Sequence, residues 1–214
     1  MQHTLPPAPT DWATQADLQS LRWDTVPSLP ALVLADGSSL AHWQTRAKAC
    51  ANATMLYVHF ECDDADIWGH YTQRDDPIYD EEVIELFIGP GEADPTDYFE
   101  FEISPNGVLF DARIRNMLGR NDGRLGVDTA WDCDGLRWHA ACDDAHQFWQ
   151  ATLAIPWRSL LGDGVADVPK IWRANFYRIE RPRNSAPEFS GWSAPLTPIA
   201  DFHRPSRFGT LILP

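Results

Sequence analysis

The 214-residue sequence lacks the features that mark several classes of protein. It has no apolar run of about 18 residues, so we expect no membrane-spanning helix. Its first residues, MQHTLPPAPTDW, contain neither the basic segment nor the apolar segment of a secretion signal. We therefore expect a cytoplasmic location, unless a signal was removed from the chain as given.

Positively charged residues are scarce, because 17 Lys and Arg oppose 31 Asp and Glu and give a formal net charge of −14. This excess of negative charge repels phosphate backbones and anionic lipid surfaces. We therefore expect no nucleic-acid partner and no insertion into a membrane.

Cysteine is also scarce, and its positions show no metal-site spacing. Cys50, Cys62, Cys133 and Cys142 form no CxxC pair, and the seven histidines include no HExxH motif, so zinc chemistry has little support. The sequence leaves open whether these cysteines are buried thiols or form one or two disulfides. The scattered His and Met residues also select no axial pair for haem.

What the sequence has in abundance is short β-prone segments, separated by turns such as Pro-Asn-Gly and Asp-Gly. Short helical turns are predicted at 17–21 and 157–161. Because there is no repeat and no break in composition, residues 1–214 are expected to form one domain. Many short strands without alternating helices predict an all-β fold, an antiparallel β-sandwich of the immunoglobulin-like or jelly-roll-like kind. The predicted strands are 47–51, 54–62, 82–89, 98–104, 108–115, 136–142, 148–155, 171–180 and 208–213.

The stretch DDPIYDEEVIELFI, at residues 75–88, places a carboxylate inside an otherwise apolar strand. Side chains alternate between the two faces of a strand, so Glu85 points to one face while Ile84 and Leu86 point to the other. Most of the other acidic residues in this stretch are interpreted as a solvated run.

The same alternation predicts a polar outer face on the neighbouring strands. Glu100 and Glu102 are expected to point outward. In 108–115 the apolar residues are expected to face the core, which leaves Arg113 outward, and Asn175 takes the outer face of the last long strand. Such a face is either an ordinary solvated surface with cross-strand Glu–Arg pairs, worth roughly 0.2–1 kcal/mol each, or a site whose polar groups bind sugar hydroxyls beside aromatic rings.

Six segments between residues 56 and 213 resemble the family 9 carbohydrate-binding modules, and especially their free-standing bacterial relatives. In order, the segments are LYVHFECDDADIW, DPIYDEEVIELFI, YFEFEISPNGVLFDAR, WQATLAIPWRSL, WRANFYRIERP and FSGWSAPLTPIADFHRPSRFG. The resemblance implies a non-catalytic β-sandwich that binds sugars or glycan chain ends, such as those of xylan or cellulose in polysaccharide catabolism.

The resemblance also implies a clamp of two aromatic rings above polar groups that bond sugar hydroxyls. Family members place tryptophans at both clamp positions, whereas this chain has a tyrosine at the first and a phenylalanine beside a histidine at the second. The residues implied as ligand-binding are Tyr79, Glu85, Arg113, Asn175, Trp192 (as a replacement ring), Phe202 and His203.

Family 9 modules carry structural calcium, and the clustered Asp63, Asp64 and Asp66 are the tentative ligands here. A glycosidase would need two carboxylates about 5–5.5 Å or about 6.5–9.5 Å apart. Glu100 and Glu102 are instead expected to be ionised beside arginines and therefore poor general acids. The alternatives that stay open are an interaction module of the same fold with an altered ligand site, and a homodimer formed through the aromatic face.

Overall fold

The computed structural model describes residues 1–143, 145, 147–162, 167–197 and 199–214, and it is a β-sandwich as predicted. All nine predicted strands are present, and the predicted turn at 157–161 is a short helix, α1 (Trp157–Leu161). In the described part of the chain no helix is long and apolar enough to cross a membrane. The strands are β1 (Gln2–Thr4), β2 (Val33–Leu34), β3 (Thr45–Ala51), β4 (Met55–Asp63), β5 (Val83–Pro90), β6 (Asp97–Ile103), β7 (Leu109–Arg115), β8 (Gly126–Asp128), β9 (Arg137–Asp143), β10 (Phe148–Pro156), β11 (Ile171–Glu180), β12 (Glu188–Gly191) and β13 (Gly209–Ile212).

The strands form two sheets. The larger sheet has the order β1-β13-β11-β5-β6-β7-β8, with β12 joined to β11 and β2 joined to β12. The smaller sheet has the order β3-β4-β10-β9. Neighbouring strands are antiparallel, except that β1 runs parallel to β13. The central strands β11, β5 and β6 of the larger sheet are the base on which the site described below is built.

The main core lies between the two sheets. Leu86 of β5 is paired with Phe101 on one side and with Phe176 on the other, and all three side chains are buried in this core. From the smaller sheet, Phe60 packs against Phe176 with ring centroids 6.0 Å apart. Burying each large apolar side chain contributes about 1.5–3 kcal/mol, so this layer holds the larger sheet rigidly.

A second apolar cluster covers the outer face of the larger sheet, with Phe87, Tyr177 and Phe208 among its members. This arrangement overturns one prediction, since the apolar side chains of β7 were expected to face the main core. They lie instead in the outer cluster, where Phe110 is paired with Glu102 and Ala112 is paired with Glu100. A sheet that is buried on both faces has apolar residues at both alternating positions, so the pattern in β7 does not identify the inner face.

The structure answers the question of thiol or disulfide for three of the four cysteines. Cys50, Cys62 and Cys133 are buried free thiols, and burial raises the pKa of each to about 12. These side chains fill the core as small apolar groups and are poor nucleophiles.

Candidate functional site

A cleft with a volume of about 880 Å³ opens on the outer face of the larger sheet. Its floor is formed by side chains of β5 and β6, and its walls include Tyr79, Phe110, Phe189 and Phe202. Polar groups on rigid strands beneath aromatic walls are the usual composition of a small-molecule site.

The wall residue Tyr79 is held by the loop that precedes β5. It lies in a 3-10 turn, Ile78–Asp80, whose Ile78 side chain is fully buried as an anchor. The Tyr79 ring is 42% exposed and meets Phe110 edge-on, with centroids 5.7 Å apart. The Tyr79 ring is therefore partly open to solvent at this wall.

Two acidic residues of this loop, Glu81 and Glu82, are buried and are exceptions to the interpretation of most of the run as solvated. Glu81 is 7% exposed and accepts hydrogen bonds from the backbone N–H of His70 at 2.8 Å and of Tyr71 at 3.4 Å. Glu82 is fully buried and accepts one from the backbone N–H of Trp68 at 3.4 Å. The carboxylates thus tie the Tyr79 loop to the preceding segment.

Another part of the wall comes from Phe202 and His203. The Phe202 ring stacks parallel on Tyr177, with centroids 4.1 Å apart, and the Tyr177 hydroxyl donates to the Phe202 carbonyl at 3.2 Å. His203 Nδ1 lies 2.9 Å from the Tyr98 hydroxyl. Burial lowers the pKa of His203 to about 4, so its ring is neutral near pH 7.

Three carboxylates, Glu85, Glu100 and Glu102, meet on the floor; we call them the cleft carboxylates. Glu85 is paired directly with Glu102 across β5 and β6, and an oxygen of each of the three lies within 4.8 Å of the other two. They are 2%, 5% and 1% exposed, respectively. Glu102 Oε2 has no hydrogen-bond partner.

Burial and mutual repulsion act together on the cleft carboxylates. Burial, followed by the charge of Glu100, raises the pKa of Glu85 well above its usual value, and burial followed by the charge of Glu85 does the same for Glu102. Burial raises the pKa of Glu100 to about 7. Like charges directly opposite on neighbouring strands are destabilising, so this group has a cost to the fold that calls for a functional reason.

Charge in the rest of the cleft does not compensate. Asp80 and Asp201 also line it, which makes five carboxylates with the three on the floor, whereas Arg181 is the one arginine among the described lining residues. The Arg181 guanidinium lies over the Phe189 ring, 5.3 Å from its centroid. The cleft is therefore strongly acidic.

Four of the predicted ligand-binding residues, Tyr79, Glu85, Phe202 and His203, line this one cleft. The sequence-based selection missed Glu100 and Glu102 as partners of Glu85. A signal was present, because a hairpin of β5 and β6 that places Glu85 on one face brings a glutamate of the alternating series 100–102 opposite it.

The other three predicted residues do not line the cleft. Arg113 is paired with Phe99 on the opposite face and forms an ion pair with Asp97 at 2.9 Å, so the prediction that it faces outward beside Glu85 is wrong. Asn175 is on the expected face, but it is fully buried and its amide donates to the Ser193 carbonyl at 2.7 Å.

Trp192 is fully buried in the main core, with its ring centroid 5.8 Å from that of Phe176. The proposal that it replaces a clamp ring is therefore wrong. Its indole fits against Gly209, where an added Cβ would lie 2.2 Å from the ring, so the pair requires glycine at that position.

The residues predicted as tentative calcium ligands do not fit a shared ion. Calcium requires six to eight converging oxygens, whereas these three carboxylates diverge. Each forms an ion pair with a different arginine: Asp63 with Arg46, Asp64 with Arg178, and Asp66 with Arg183.

Asp64 instead joins Glu82 and Glu180, and an oxygen of each of these three buried residues lies within 4.8 Å of the other two. The guanidinium of Arg178 donates to Asp64 at 2.9 Å and also to Glu180. We call these four residues the Arg178 cluster. The positive charge beside these carboxyl groups is therefore the Arg178 guanidinium.

Comparisons with known proteins agree with this architecture. The family model for carbohydrate-binding family 9 matches residues 15–213. An "Extracellular protein" of the fungus Arthroderma benhamiae is 31% identical over 180 residues, which cover 79% of this chain and 78% of that protein.

Two solved proteins share the fold over the whole chain. A candidate carbohydrate-binding protein from Bacteroides uniformis has a TM-score of 0.74 at 16% identity, with 99% of its chain covered. A family 9 module from Caldicellulosiruptor kristjanssonii, solved with glucose and with cellotriose, has a TM-score of 0.62 at 12% identity, with 96% and 93% of its chain covered. The match to the family model spans nearly all of the sequence, and the chain therefore belongs to carbohydrate-binding family 9, a family of non-catalytic binding modules.

Proposed function

We propose that the cleft is the sugar-binding site and that it holds a monosaccharide, a short oligosaccharide or a glycan chain end between Tyr79 and the Phe202–His203 wall. The observation that carries this proposal is that a partly exposed aromatic ring, Tyr79, and a buried carboxyl group on a rigid strand, Glu85, line the same cleft. A volume of about 880 Å³ lies within the roughly 300–1,000 Å³ typical of ligand sites.

Each group has a distinct part in this binding mode. The exposed face of Tyr79 covers the apolar face of a sugar ring, while the cleft carboxylates accept hydrogen bonds from its hydroxyl groups. Arg113 and Asn175, which the resemblance implied as further contacts, are engaged elsewhere and are not part of the proposed site.

The test is isothermal titration with glucose, xylose, cellobiose and xylobiose, using the wild type, Tyr79→Ala and Phe148→Ala. Glucose and a cellulose fragment are apt probes, because the Caldicellulosiruptor kristjanssonii module was solved with glucose and with cellotriose. Phe148 is the matched control, since it is a part-exposed aromatic on the smaller sheet. We expect about a tenfold or greater loss of affinity in Tyr79→Ala and little change in Phe148→Ala.

Equal losses in both variants would show that Tyr79 has no special role in the site. Absence of saturable binding to every sugar tested, by a folded wild-type sample, would instead favour an interaction module. The cleft supplies an observation in that direction, because Ile199, an apolar residue that lines it, is 84% exposed.

A further inference from the structure

The floor of the cleft concentrates buried carboxyl groups. Its floor holds three carboxylates that are at least nine-tenths buried, and Glu102 Oε2 among them has no hydrogen-bond partner. A buried acceptor left unpaired is unfavourable, and the native protein retains this one on a residue that lines the cleft.

No cation of the described protein neutralises this floor. His203 Nε2 is 4.0 Å from Glu100, but burial lowers the pKa of the ring to about 4, so it is neutral. Arg181 also lines the cleft, with its guanidinium over the Phe189 ring, and among the described residues it forms no ion pair with a cleft carboxylate. Asp80 and Asp201 at the rim add to the negative charge.

The spacing of the acceptors suits an ammonium group. Three N–H donors in tetrahedral directions, at 2.7–2.9 Å from their acceptors, place those acceptors roughly 4.6 Å apart. The cleft carboxylates each offer an oxygen within 4.8 Å of the other two. One ammonium nitrogen could therefore donate to an oxygen of each of the three.

We propose that this cleft selects a protonated amino sugar over the corresponding neutral sugar, with the ammonium group bound by Glu85, Glu100 and Glu102. This inference rests on the proposed sugar-binding function and specifies its ligand class. Tyr79 would cover the sugar ring while the ammonium group occupies the floor.

A divalent metal ion is the competing occupant, and the observations favour it less. Calcium takes six to eight oxygens, and three residues form this cluster in the described part of the chain. The aromatic walls and the volume of about 880 Å³ also exceed what a single ion would use.

The experiment compares three β-1,4-linked disaccharides that differ only at the C2 position: the glucosamine dimer, its N-acetylated form and cellobiose. Each is titrated at pH 6 into the wild type, Glu102→Gln and Glu92→Gln. Glu92 is an exposed glutamate outside the cleft, so Glu92→Gln controls for the change in net charge. A parallel titration uses calcium chloride alone.

The proposal expects the glucosamine dimer to bind about tenfold or more tightly than both neutral disaccharides. Glu102→Gln should reduce that preference severalfold, and Glu92→Gln should retain it. Titration in buffers of different ionisation enthalpy should show proton release with the glucosamine dimer, because an ammonium group favours ionised carboxylates on the floor, and no such release with cellobiose.

Three results would overturn the proposal. If cellobiose binds as tightly as the glucosamine dimer, the proposed sugar-binding function is supported, but the preference for a protonated amino sugar is refuted. If calcium binds the wild type, is lost in Glu102→Gln and blocks the sugar, the floor is a metal site. If no disaccharide binds, both the proposed function and this inference fail. The wild-type comparison decides between these results even if Glu102→Gln does not fold.

Discussion

Two groups of buried carboxylates lie on opposite faces of the same part of the larger sheet, and they are neutralised differently. In the Arg178 cluster, the guanidinium is fully buried, bonds to Asp64 and Glu180, and lies 5.7 Å from the centre of the Trp149 ring. The cleft carboxylates have no such cation in the described structure. The first group is closed by the protein itself, whereas the second is left open toward a cavity.

The difference distinguishes a carboxylate group that the fold itself neutralises from one that it leaves without a cation in the described structure. Removing the cation from a buried ion group leaves uncompensated charge and is strongly destabilising. Removing one carboxylate from a group of mutually repelling carboxylates should instead stabilise the folded state. The two clusters should therefore respond in opposite directions to loss of a charge.

The largest expected effect is that of Arg178→Met, which should lower the free energy of unfolding by about 3–5 kcal/mol, because it leaves the carboxylates of its cluster unpaired. Urea unfolding followed by circular dichroism measures it. Arg113→Met is the matched control, since its ion pair with Asp97 is about half exposed and such pairs contribute about 0–1 kcal/mol. Similar losses in the two variants would refute the structural role given to the Arg178 cluster.

The next effect concerns the pH dependence of Glu100→Gln. The pKa of Glu100 is raised from 4.5 to about 7, so the unfolded state releases this proton more readily than the folded state. The wild type should therefore lose stability as pH rises from about 4.5 to about 7, and the loss should then level off.

Glu100→Gln cannot undergo this titration and should not show that loss. The free energy of unfolding of the variant, minus that of the wild type, should therefore be about 1–3 kcal/mol larger at pH 8 than at pH 4. Urea unfolding of both proteins at the two pH values gives the difference. Glu180, whose pKa burial also raises to about 7, contributes equally to both proteins and cancels. A pH-independent difference would show that Glu100 titrates normally.

The smallest effect is expected for Tyr177→Phe, on the residue next to Arg178 along β11 but on the cleft side. The change removes the hydrogen bond from the tyrosine hydroxyl to the Phe202 carbonyl and should destabilise the protein by about 1 kcal/mol. Urea unfolding measures the change. A loss as large as that of Arg178→Met would remove the contrast between the two faces of this strand.

The sequence predicted the long strands well, because nine segments of alternating or continuous apolar residues specify them. It did not reveal β1, β2, β8 and β12, which have two to four residues each. Such short strands form because a neighbouring strand offers hydrogen-bond partners, as β12 does for β2, where Ser190 is paired with Leu34. No local pattern encodes that partner.

The candidate site was predictable where a residue stands in a distinctive motif, as Tyr79 and Glu85 do. It was not predictable where burial on both sides of the sheet made the two faces look alike, which placed Arg113 on the wrong face. The role of Asn175 also depended on a distant loop, because its amide binds the backbone of Ser193.

The composition of the cleft walls determines how a bound ligand can be observed. The walls are made by tyrosine and phenylalanine, and no tryptophan is among the described residues that line the cleft. The large indoles of Trp149, Trp157 and Trp172 are instead buried in the core between the sheets. Ligand entry should therefore change the intrinsic tryptophan emission very little, and a silent fluorescence titration would not count against binding. Tyr79→Trp would place an indole at the cleft wall, so that ligand binding could be followed by tryptophan fluorescence.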